Sequence, residues 1–266
     1  MMMNNDVRKL KNVKCFLLDM DGTFYLGGKL IEGSLEFIKK VQETGRDFLF
    51  LTNNSSHNAR FYVEKLKKMG LSVDTKKVLT SGEATAAIVH KMYPAKRAFV
   101  LGNEYLIEDM KDAGVIVDQE NPEIVVIGYD TTLDYKKMTD VCDYVRAGLP
   151  YIATHPDFNC PTENGFAPDI GAIIEFINAS SFRRPDLVVG KPNRGIVEAA
   201  LMRTGCQPDE LAMVGDRLYT DIETGLQNGI LSILVMSGET TEEMRKASET
   251  IPDLVFGRLC DMNDHL

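Results

Sequence analysis

The sequence has few of the residues that mark disulfide-rich, zinc-binding or membrane proteins. Its cysteines are few and scattered, and they form no Cys-x-x-Cys or Cys/His pattern with zinc spacing; they are Cys15, Cys142, Cys160, Cys206 and Cys260. An odd, scattered set is typical of reduced thiols in a cytosolic protein. No apolar run is long enough to span a bilayer, and residues 1–6 lack the apolar core of a signal peptide. We therefore expect a soluble cytoplasmic protein without a membrane partner.

Positive charge is also in short supply. The chain has 30 basic residues against 39 acidic ones, which gives a net charge of −9 at pH 7. Nucleic acid needs a basic surface, so this balance argues against a nucleic-acid partner, while a local basic pocket for a small anion remains compatible with it. At 266 residues with 44% hydrophobic residues, the chain can form two domains with cores of their own.

An apolar segment that ends in two acids lies near the N-terminus. The run from Val13 to Leu18 is typical of a buried strand in a parallel sheet, and ligands bind at the carboxyl ends of such strands. Asp19 and Asp21 follow at once, and a turn at Gly22 could fan both side chains around one reacting atom. One acid could act as a nucleophile and the other could move a proton. The alternative is a pair of acids that caps a strand-to-turn connection.

Strands and helices alternate along the rest of the chain. A hairpin is predicted at 24–31, and predicted strands cover 47–51, 77–80, 97–102, 123–129, 150–154, 186–189, 211–214, 231–235 and 254–256. This alternation predicts an α/β fold with mainly parallel sheets. Residues 155–171 are rich in Pro, Asn, Asp and Gly, and we expect them to form a long loop of the kind that is often functional.

Four predicted strands end in polar side chains of different chemistry. The set comprises two acids, an anion-binding hydroxyl and amide, a cation and two more acids: Asp19 and Asp21, Thr52 and Asn53, Lys191, and Asp216 and Asp221. We expect all four groups at the carboxyl edge of one parallel sheet. Acids crowded there need a divalent cation, and oxygen ligands favour Mg²⁺. Together they form a complete set for phosphoryl transfer.

Each of these groups also has an ordinary structural interpretation. Lys191 alone could be a solvated loop lysine, and Thr52-Asn53 or Asp216 could cap a helix. Polar groups of these four kinds, each at the end of an apolar strand and in this order, arise by chance less often than any one of them alone. We call these groups the polar tips, and their combination favours the functional interpretation. His155 lies in the predicted loop, where a single histidine is usually a surface or structural residue.

These residues resemble the motifs of the haloacid-dehalogenase-type phosphatase superfamily. The matching segments are Asp19-Met20-Asp21-Gly22-Thr23, Thr52-Asn53, Lys191, and Gly215-Asp216 with Asp221. More narrowly, residues 51–55, 79–81 and 189–192 look like the NagD-type, or p-nitrophenylphosphatase-like, subgroup. The resemblance implies a Rossmann-like parallel-sheet core in two parts, 1–81 and 184–266, with an α/β cap domain inserted at 82–183.

The resemblance also implies a mechanism. In that mechanism Asp19 attacks phosphorus to form an aspartyl-phosphate, while Asp21 protonates the leaving oxygen and later activates water. The phosphoryl oxygens are held by Thr52, Asn53 and Lys191. Mg²⁺ is bound by the Asp19 side chain, the Asp21 backbone carbonyl and Asp216, with Asp221 close by. The residues expected at the substrate are Gly22, Asn54, His155 and Asp169.

Two positions of the expected cap depart from the subgroup. The segment matching His155-Pro156-Asp157 commonly reads Asn-Pro-Asp, and the segment matching 168–171, where this chain has Asp169, often carries a further small residue. Both positions fall where the cap would face the substrate, so the identity of the substrate does not carry over from relatives.

The partner implied by the resemblance is a small phosphorylated metabolite, such as a sugar phosphate or a nucleoside monophosphate. Cap surfaces of the subgroup often mediate dimers, so a homodimer is a further expectation. The alternatives are a phosphomutase and a phosphometabolite-binding regulator without turnover. The intact pair Asp19 and Asp21 argues against a regulator, because a pure binding protein has no use for a nucleophile.

Overall fold

A computed structural model describes residues 6–162 and 165–266 of the chain. Most of the N-terminal stretch that argues against a signal peptide lies outside the described residues, as do positions 163 and 164 of the predicted loop. Within the described ranges, the structure has no helix that is both long enough and apolar enough to cross a membrane.

Strands and helices alternate along the described residues, as the apolar pattern predicts. The strands are β1 Cys15–Leu18, β2 Tyr25–Leu26, β3 Lys29–Leu30, β4 Asp47–Thr52, β5 Val78–Thr80, β6 Arg97–Leu101, β7 Ile116–Val117, β8 Ile124–Ile127, β9 Tyr151–Ala153, β10 Asn159–Thr162, β11 Gly165–Pro168, β12 Leu187–Val188, β13 Leu211–Gly215, β14 Leu231–Val235 and β15 Leu254–Phe256. The helices are α1 Ser34–Glu43, α2 Ala59–Lys68, α3 Ser81–Met92, α4 Glu104–Asp112, α5 Tyr135–Arg146, α6 Ile170–Ser181, α7 Arg194–Thr204, α8 Glu223–Asn228 and α9 Glu242–Ala247. Short 3₁₀ turns cover Val7–Asn12, Thr75–Lys77, Pro208–Glu210 and Leu259–His265, and a π-helical turn spans Leu218–Ile222.

The strands of the described residues form two larger sheets and two small hairpins. One sheet has the order β15-β14-β13-β1-β4-β5, and the other has the order β12-β9-β8-β6-β7. In the first sheet β1 pairs in parallel with β13 and β4, and in the second sheet β8 pairs in parallel with β6 and β9. The hairpins β2/β3 and β10/β11 are antiparallel. The predicted α/β class with parallel sheets is therefore confirmed.

The chain divides into two compact units. The first unit consists of the chain up to Thr52, Val63–Leu79 and Lys191–Leu266, and it contains the sheet built around β1. The second unit consists of Asn53–Tyr62 and Thr80–Gly190, and it contains the sheet built around β8. The second unit is thus inserted between parts of the first, as expected for a core with a cap. The boundaries at 82 and 183 stay a prediction.

Each unit has an apolar core of its own. In the first unit Phe16 of β1 packs edge-to-face on Phe37 of α1, and Phe24 packs in the same way on Phe50 of β4. In the second unit the side chains of β6, β8 and β9 pack against α5 and α6; the buried members include Leu101, Val125, Ile127, Val141, Ala153, Ile174 and Ile177. Parallel strands need apolar cover on both faces, which explains the continuous apolar runs in the sequence.

The predicted loop at 155–171 is wrong. The structure places β10 and β11 there as an antiparallel hairpin, with Cys160 opposite Ala167, and α6 begins at Ile170. The hairpin was missed because its sequence has the composition of turns and lacks a buried alternating face. Phe166, for example, is 73% exposed.

Candidate active site

Three of the four predicted polar tips follow neighbouring strands of the first sheet. Asp19 comes directly after β1, Asp216 comes directly after β13, and Thr52 is the last residue of β4. Lys191 differs, because the strand before it, β12, pairs with β9 in the second sheet. The prediction that all four groups follow strands of one sheet is therefore wrong for Lys191. A short apolar strand fits either sheet, so the sequence could not decide its membership.

Lys191 nevertheless lies beside two of the predicted acids. Its Nζ donates to Asp19 Oδ1 at 2.6 Å and to Asp221 Oδ1 at 2.7 Å. Its side chain is 3% exposed, so it is not a solvated loop lysine. Burial by itself would lower the pKa of Lys191, but the carboxylates of Asp19 and Asp221 raise it above its ordinary value. Lys191 therefore remains a cation in the folded protein.

Asp19, Asp216 and Asp221 form an acidic cluster. Each offers a carboxylate oxygen, and these oxygens lie within 4.8 Å of one another. Burial raises the pKa of Asp216 to about 7, and the charges of Asp19 and Asp221 act in the same direction. Burial also raises the pKa of Asp221 to about 6, although Lys191 opposes it. The group consists of hard oxygen donors whose negative charges destabilise one another, which is the donor set that suits Mg²⁺.

The turn after β13 brings Asp221 back to the end of its own strand. Asp221 lies in the π-helical turn Leu218–Ile222, and its Oδ2 accepts the backbone N–H of Arg217 at 3.1 Å. A Cβ atom at Gly215 would overlap the Asp221 carboxyl group. Glycine is therefore required at the end of β13 for the close approach of this side chain.

Asp21 and Gly22 lie in the turn that leads to the β2/β3 hairpin. Asp21 is partly exposed, and its Oδ1 accepts the N–H of Gly27 at 3.2 Å. Gly22 has a φ of +86°, and a Cβ atom there would lie 2.6 Å from Asp216 Cγ. Both the backbone conformation and the available space thus require glycine at this position. The structure does not place Asp21 in the carboxylate cluster of Asp19, Asp216 and Asp221.

Asn53 and Asn54 belong to the second unit. The side-chain amide of Asn53 donates to both carboxylate oxygens of Asp157, at 3.1 and 3.2 Å. The hydroxyl of Ser81 donates to the backbone carbonyl of Asn53. Asn54 Oδ1 accepts both the N–H and the hydroxyl of Ser56 at 2.9 Å. These bonds fix the two amide side chains, and the predicted roles of Thr52, Asn53 and Asn54 at a substrate stay predictions.

His155 and Asp169, the two departures from the subgroup pattern, contact each other. His155 Nε2 lies 3.1 Å from Asp169 Oδ1, and His155 Nδ1 lies 3.0 Å from Thr154 Oγ1. His155 has no exposed surface, and Asp169 is 4% exposed. Asp169 Oδ1 also accepts the N–H of Ile170 as the N-cap of α6. The predicted contact with substrate stays a prediction, and the burial of both side chains leaves little surface for a direct one.

Two charged residues of the first unit were missed in the sequence. Arg217 Nε lies 2.9 Å from Glu239 Oε2, and the backbone N–H of Glu239 donates to Asp216 Oδ2 at 2.7 Å. Burial would lower the pKa of Arg217, but the charge of Asp19 above all raises it. The available signal was a basic residue directly after Asp216. Glu239 lies outside every motif, so the sequence offered no signal for it.

Comparison with known proteins agrees with the motifs. The family described as Haloacid dehalogenase-like hydrolase matches residues 16–116, and the family described as "HAD-hyrolase-like" matches residues 188–262. An acid sugar phosphatase of Staphylococcus epidermidis is 34% identical over 248 residues, which cover 93% of this chain and 95% of that protein. The 5'-nucleotidase YutF of Bacillus subtilis is 32% identical over 250 residues, which cover 92% of this chain and 97% of that protein.

A solved structure shows the same fold. The crystal structure of 4-nitrophenylphosphatase from Thermotoga maritima aligns with a TM-score of 0.94 and 46% sequence identity, and the alignment covers 96% of this chain and 98% of that one. Sequence motifs, sheet order and these comparisons agree. The chain therefore belongs to the haloacid dehalogenase-like hydrolases, within the NagD and p-nitrophenylphosphatase-like subgroup.

Proposed function

We propose that the protein hydrolyses small phosphomonoesters in a Mg²⁺-dependent reaction at Asp19. Its family and its relatives make it a phosphoric monoester hydrolase. The names of the relatives support the substrate class, because they include an acid sugar phosphatase and a 5'-nucleotidase. A sugar phosphate or a nucleoside monophosphate is the substrate that we infer from them.

The observation that carries this proposal is the position of Asp19 in the acidic cluster. Its side chain is 13% exposed, whereas the side chain of Asp221 has no exposed surface and Asp216 is 1% exposed. Lys191 Nζ donates to Oδ1 of Asp19 at 2.6 Å. An acid that is accessible and fixed by a buried cation can act as a nucleophile.

The proposed reaction has two steps. In the first, a carboxylate oxygen of Asp19 forms a bond to phosphorus, the ester P–O bond breaks, and Asp21 gives its proton to the leaving alcohol. In the second, Asp21 takes a proton from water, whose oxygen attacks phosphorus and releases phosphate and free Asp19. The partial exposure of Asp21 supports its role as the group that exchanges the proton. Lys191, Thr52 and Asn53 are proposed to hold the phosphoryl oxygens.

The acidic cluster is proposed to hold the metal. The side chains of Asp19 and Asp216 and the backbone carbonyl of Asp21 are the proposed ligands, with Asp221 beside them. When bound, Mg²⁺ supplies positive charge that neutralises the phosphoryl group. Thr23 and Glu239 orient the Asp216 carboxylate through one hydrogen bond to each oxygen. The chain itself thus prepares the donor set.

Phosphate release tests the proposal directly. We expect Mg²⁺-dependent release of phosphate from p-nitrophenyl phosphate and from a panel of phosphometabolites, and we expect Asp19→Asn to abolish it. Asp143→Asn makes the same chemical change on an exposed helical surface and serves as the control, with activity like that of the original protein. An Asp19→Asn variant that keeps most of its activity would refute the proposal that Asp19 is the nucleophile.

The same experiment separates hydrolysis from the alternatives. A phosphomutase would return the phosphoryl group to a sugar and release little free phosphate, and a regulator would bind the metabolite without any release. The expected homodimer, the cytoplasmic location and the expected lack of nucleic-acid and membrane partners stay predictions. Light scattering at several protein concentrations checks the first of these.

A further inference from the structure

We propose that residues 237–240, outside every recognised motif, position the carboxylate of Asp216 for metal binding. This inference rests on the proposed function, in which Asp216 is a metal ligand. The segment follows β14 and leads into α9, and it lies in the first unit together with Asp216. We call residues 237–240 the Asp216 clamp.

The clamp contacts both the side chain and the main chain of Asp216. The backbone N–H of Glu239 donates to Oδ2 at 2.7 Å. The N–H of Thr240 donates to the Asp216 carbonyl at 3.2 Å, and the Thr240 hydroxyl donates to the same oxygen. Thr23, from the turn after β1, donates to Oδ1 at 3.3 Å. One hydrogen bond on each carboxylate oxygen fixes the rotation of the group and leaves further lone pairs for a cation.

Space at the clamp depends on a glycine. A Cβ atom at Gly238 would lie 2.5 Å from Asp216 Cγ and still closer to Oδ2. The φ of Gly238 is not in the left-handed region, so glycine is required there for space and not for backbone conformation. Gly22 lies at the same carboxylate, with a Cβ position 2.6 Å from Cγ. Asp216 is thus enclosed by two backbone segments that approach it only because both carry glycine.

The clamp is itself held by further contacts. The carboxylate of Glu239 pairs with Arg217 at 2.9 Å and accepts the hydroxyl of Tyr219 at 2.8 Å. Ser237 donates its hydroxyl to the carbonyl of Gly22 at 2.8 Å. The segment is therefore tied both to the residues that follow Asp216 and to the turn that follows Asp21. Such ties let a loop hold a neighbouring side chain in one orientation.

The function of the clamp follows from these contacts. Hydrogen bonds behind a metal ligand orient it, and their loss typically weakens metal binding about 10- to 100-fold. The residues of the clamp are positioning residues, because they act on the proposed metal ligand Asp216 through hydrogen bonds and are not proposed ligands themselves. The clamp should therefore determine the Mg²⁺ requirement more than the rate at saturating Mg²⁺.

Gly238→Ala tests this inference by pushing a methyl group against the Asp216 carboxylate. The half-saturating Mg²⁺ concentration is measured in two ways, from the rise in Tm with Mg²⁺ and from hydrolysis of p-nitrophenyl phosphate. We expect it to increase about tenfold or more in both. Gly28→Ala is the matched control, because a Cβ atom at Gly28 meets nothing within 4 Å. We expect its Mg²⁺ requirement to equal that of the original protein.

A second variant covers the case in which Gly238→Ala fails to fold. Thr240→Val removes the hydroxyl that donates to the Asp216 carbonyl but keeps the N–H and the shape of the side chain, so we expect a smaller increase of about threefold. A folded Gly238→Ala variant, or failing that a Thr240→Val variant, with the original Mg²⁺ requirement would overturn the clamp alone. If neither the Tm nor the hydrolysis rate of the original protein changes with Mg²⁺, the proposed metal site and the clamp are both refuted. Mg²⁺ binding without hydrolysis would contradict the proposed function but leave the clamp measurable through Tm.

Discussion

Arg217 is the residue that balances the charge of the acidic cluster from outside the predicted site. Its side chain is 18% exposed, and the negative charges around it raise its pKa although burial would lower it. Asp19 contributes most to that increase, and Asp216 and Asp221 contribute as well. A cation next to three carboxylates offsets part of their mutual repulsion whenever the metal is absent.

Replacement of Arg217 should therefore reduce the stability of the protein most when no metal is bound. Arg217→Met keeps an apolar stem and removes the charge. We expect the free energy of unfolding to fall by about 2 kcal/mol in EDTA and by clearly less in saturating Mg²⁺, because the metal supplies the missing positive charge. Urea titrations in both conditions measure the difference. Arg194→Met, at an exposed arginine paired with Glu198, should cost little in either condition. An equal loss for Arg217→Met with and without Mg²⁺ would contradict this explanation.

Asp109 is a partly buried acid in the second unit, remote in sequence from every motif. It lies on α4, and burial raises its pKa to about 8, with the negative charges of Glu83, Glu108 and Asp112 acting in the same direction. The ordinary pKa of the group is 3.8, so the unfolded chain loses this proton first. Between these two pH values unfolding releases a proton. The contribution of Asp109 to stability is therefore complete at low pH and is lost as pH rises towards 8.

Asp109→Asn removes this titration. We expect the variant to be more stable than the original protein by at least about 1 kcal/mol at pH 9 and to differ little from it at pH 4 to 5. Urea unfolding at pH 5, 7 and 9 measures the trend. Glu104→Gln makes the same chemical change at an exposed position of the same helix and should show no such trend. A stability difference that is independent of pH would show that Asp109 is ionised in the folded protein throughout this range.

Helix α6 shows how one acid can serve two elements. Asp169 caps the N-terminus of α6 and also lies 3.1 Å from Nε2 of the buried His155. Asp134 caps α5 by accepting the N–H of Lys137. Asp169 accepts the N–H of Ile170, the first residue of its helix, whereas Asp134 accepts the N–H of the third residue of its helix. Asp169 also has the buried ring of His155 beside it. Loss of Asp169 should therefore cost more than loss of an ordinary cap.

The two caps allow an N-cap with a buried histidine partner to be compared with one at an ordinary helix end. We expect Asp134→Ala to reduce the free energy of unfolding by about 1 kcal/mol, which is typical of a lost N-cap. Asp169→Ala should cost about 2 to 3 kcal/mol, because it also removes the acceptor next to a buried polar group. A double-mutant cycle with His155→Ala measures the interaction energy between Asp169 and His155. This energy should account for most of the difference in cost between Asp169→Ala and Asp134→Ala. Equal costs for the two alanine variants would show that the contact with His155 adds no stability.

The elements that could be predicted from the sequence are those with a strong apolar pattern. β1, β4 and β13 were predicted because their runs are buried on both faces, and the tips Asp19, Thr52 and Asp216 followed from that. The hairpin β10/β11 could not be predicted, because its exposed strands have no apolar alternation. The membership of β12 could not be predicted either, since the choice of sheet is a tertiary contact.

At the scale of the whole molecule, the sequence identifies which side chains do chemistry better than it identifies what holds them. Lys191 and Asp221 were predicted as members of the site, and the structure brings both next to Asp19. The clamp at 237–240 could not be predicted, because its main contacts with Asp216 come from backbone groups, and every residue type except proline supplies a backbone N–H. The glycine that makes room for these contacts carries no signal of its own in a single sequence.

The division into two units gives the last prediction. The carboxylates of the candidate metal site all lie in the first unit, and Asp109 lies in the second. Mg²⁺ should therefore stabilise the first unit, and Asp109→Asn at high pH should stabilise the second. We expect calorimetry to show one unfolding transition whose temperature rises with Mg²⁺ and one whose temperature does not. At 100 times the Kd, a bound ligand adds about 2.7 kcal/mol to the free energy of unfolding. At pH 9, Asp109→Asn should raise the temperature of the transition that does not respond to Mg²⁺. A single transition that responds to both changes would show that the two units unfold together, in spite of their separate sheets and cores.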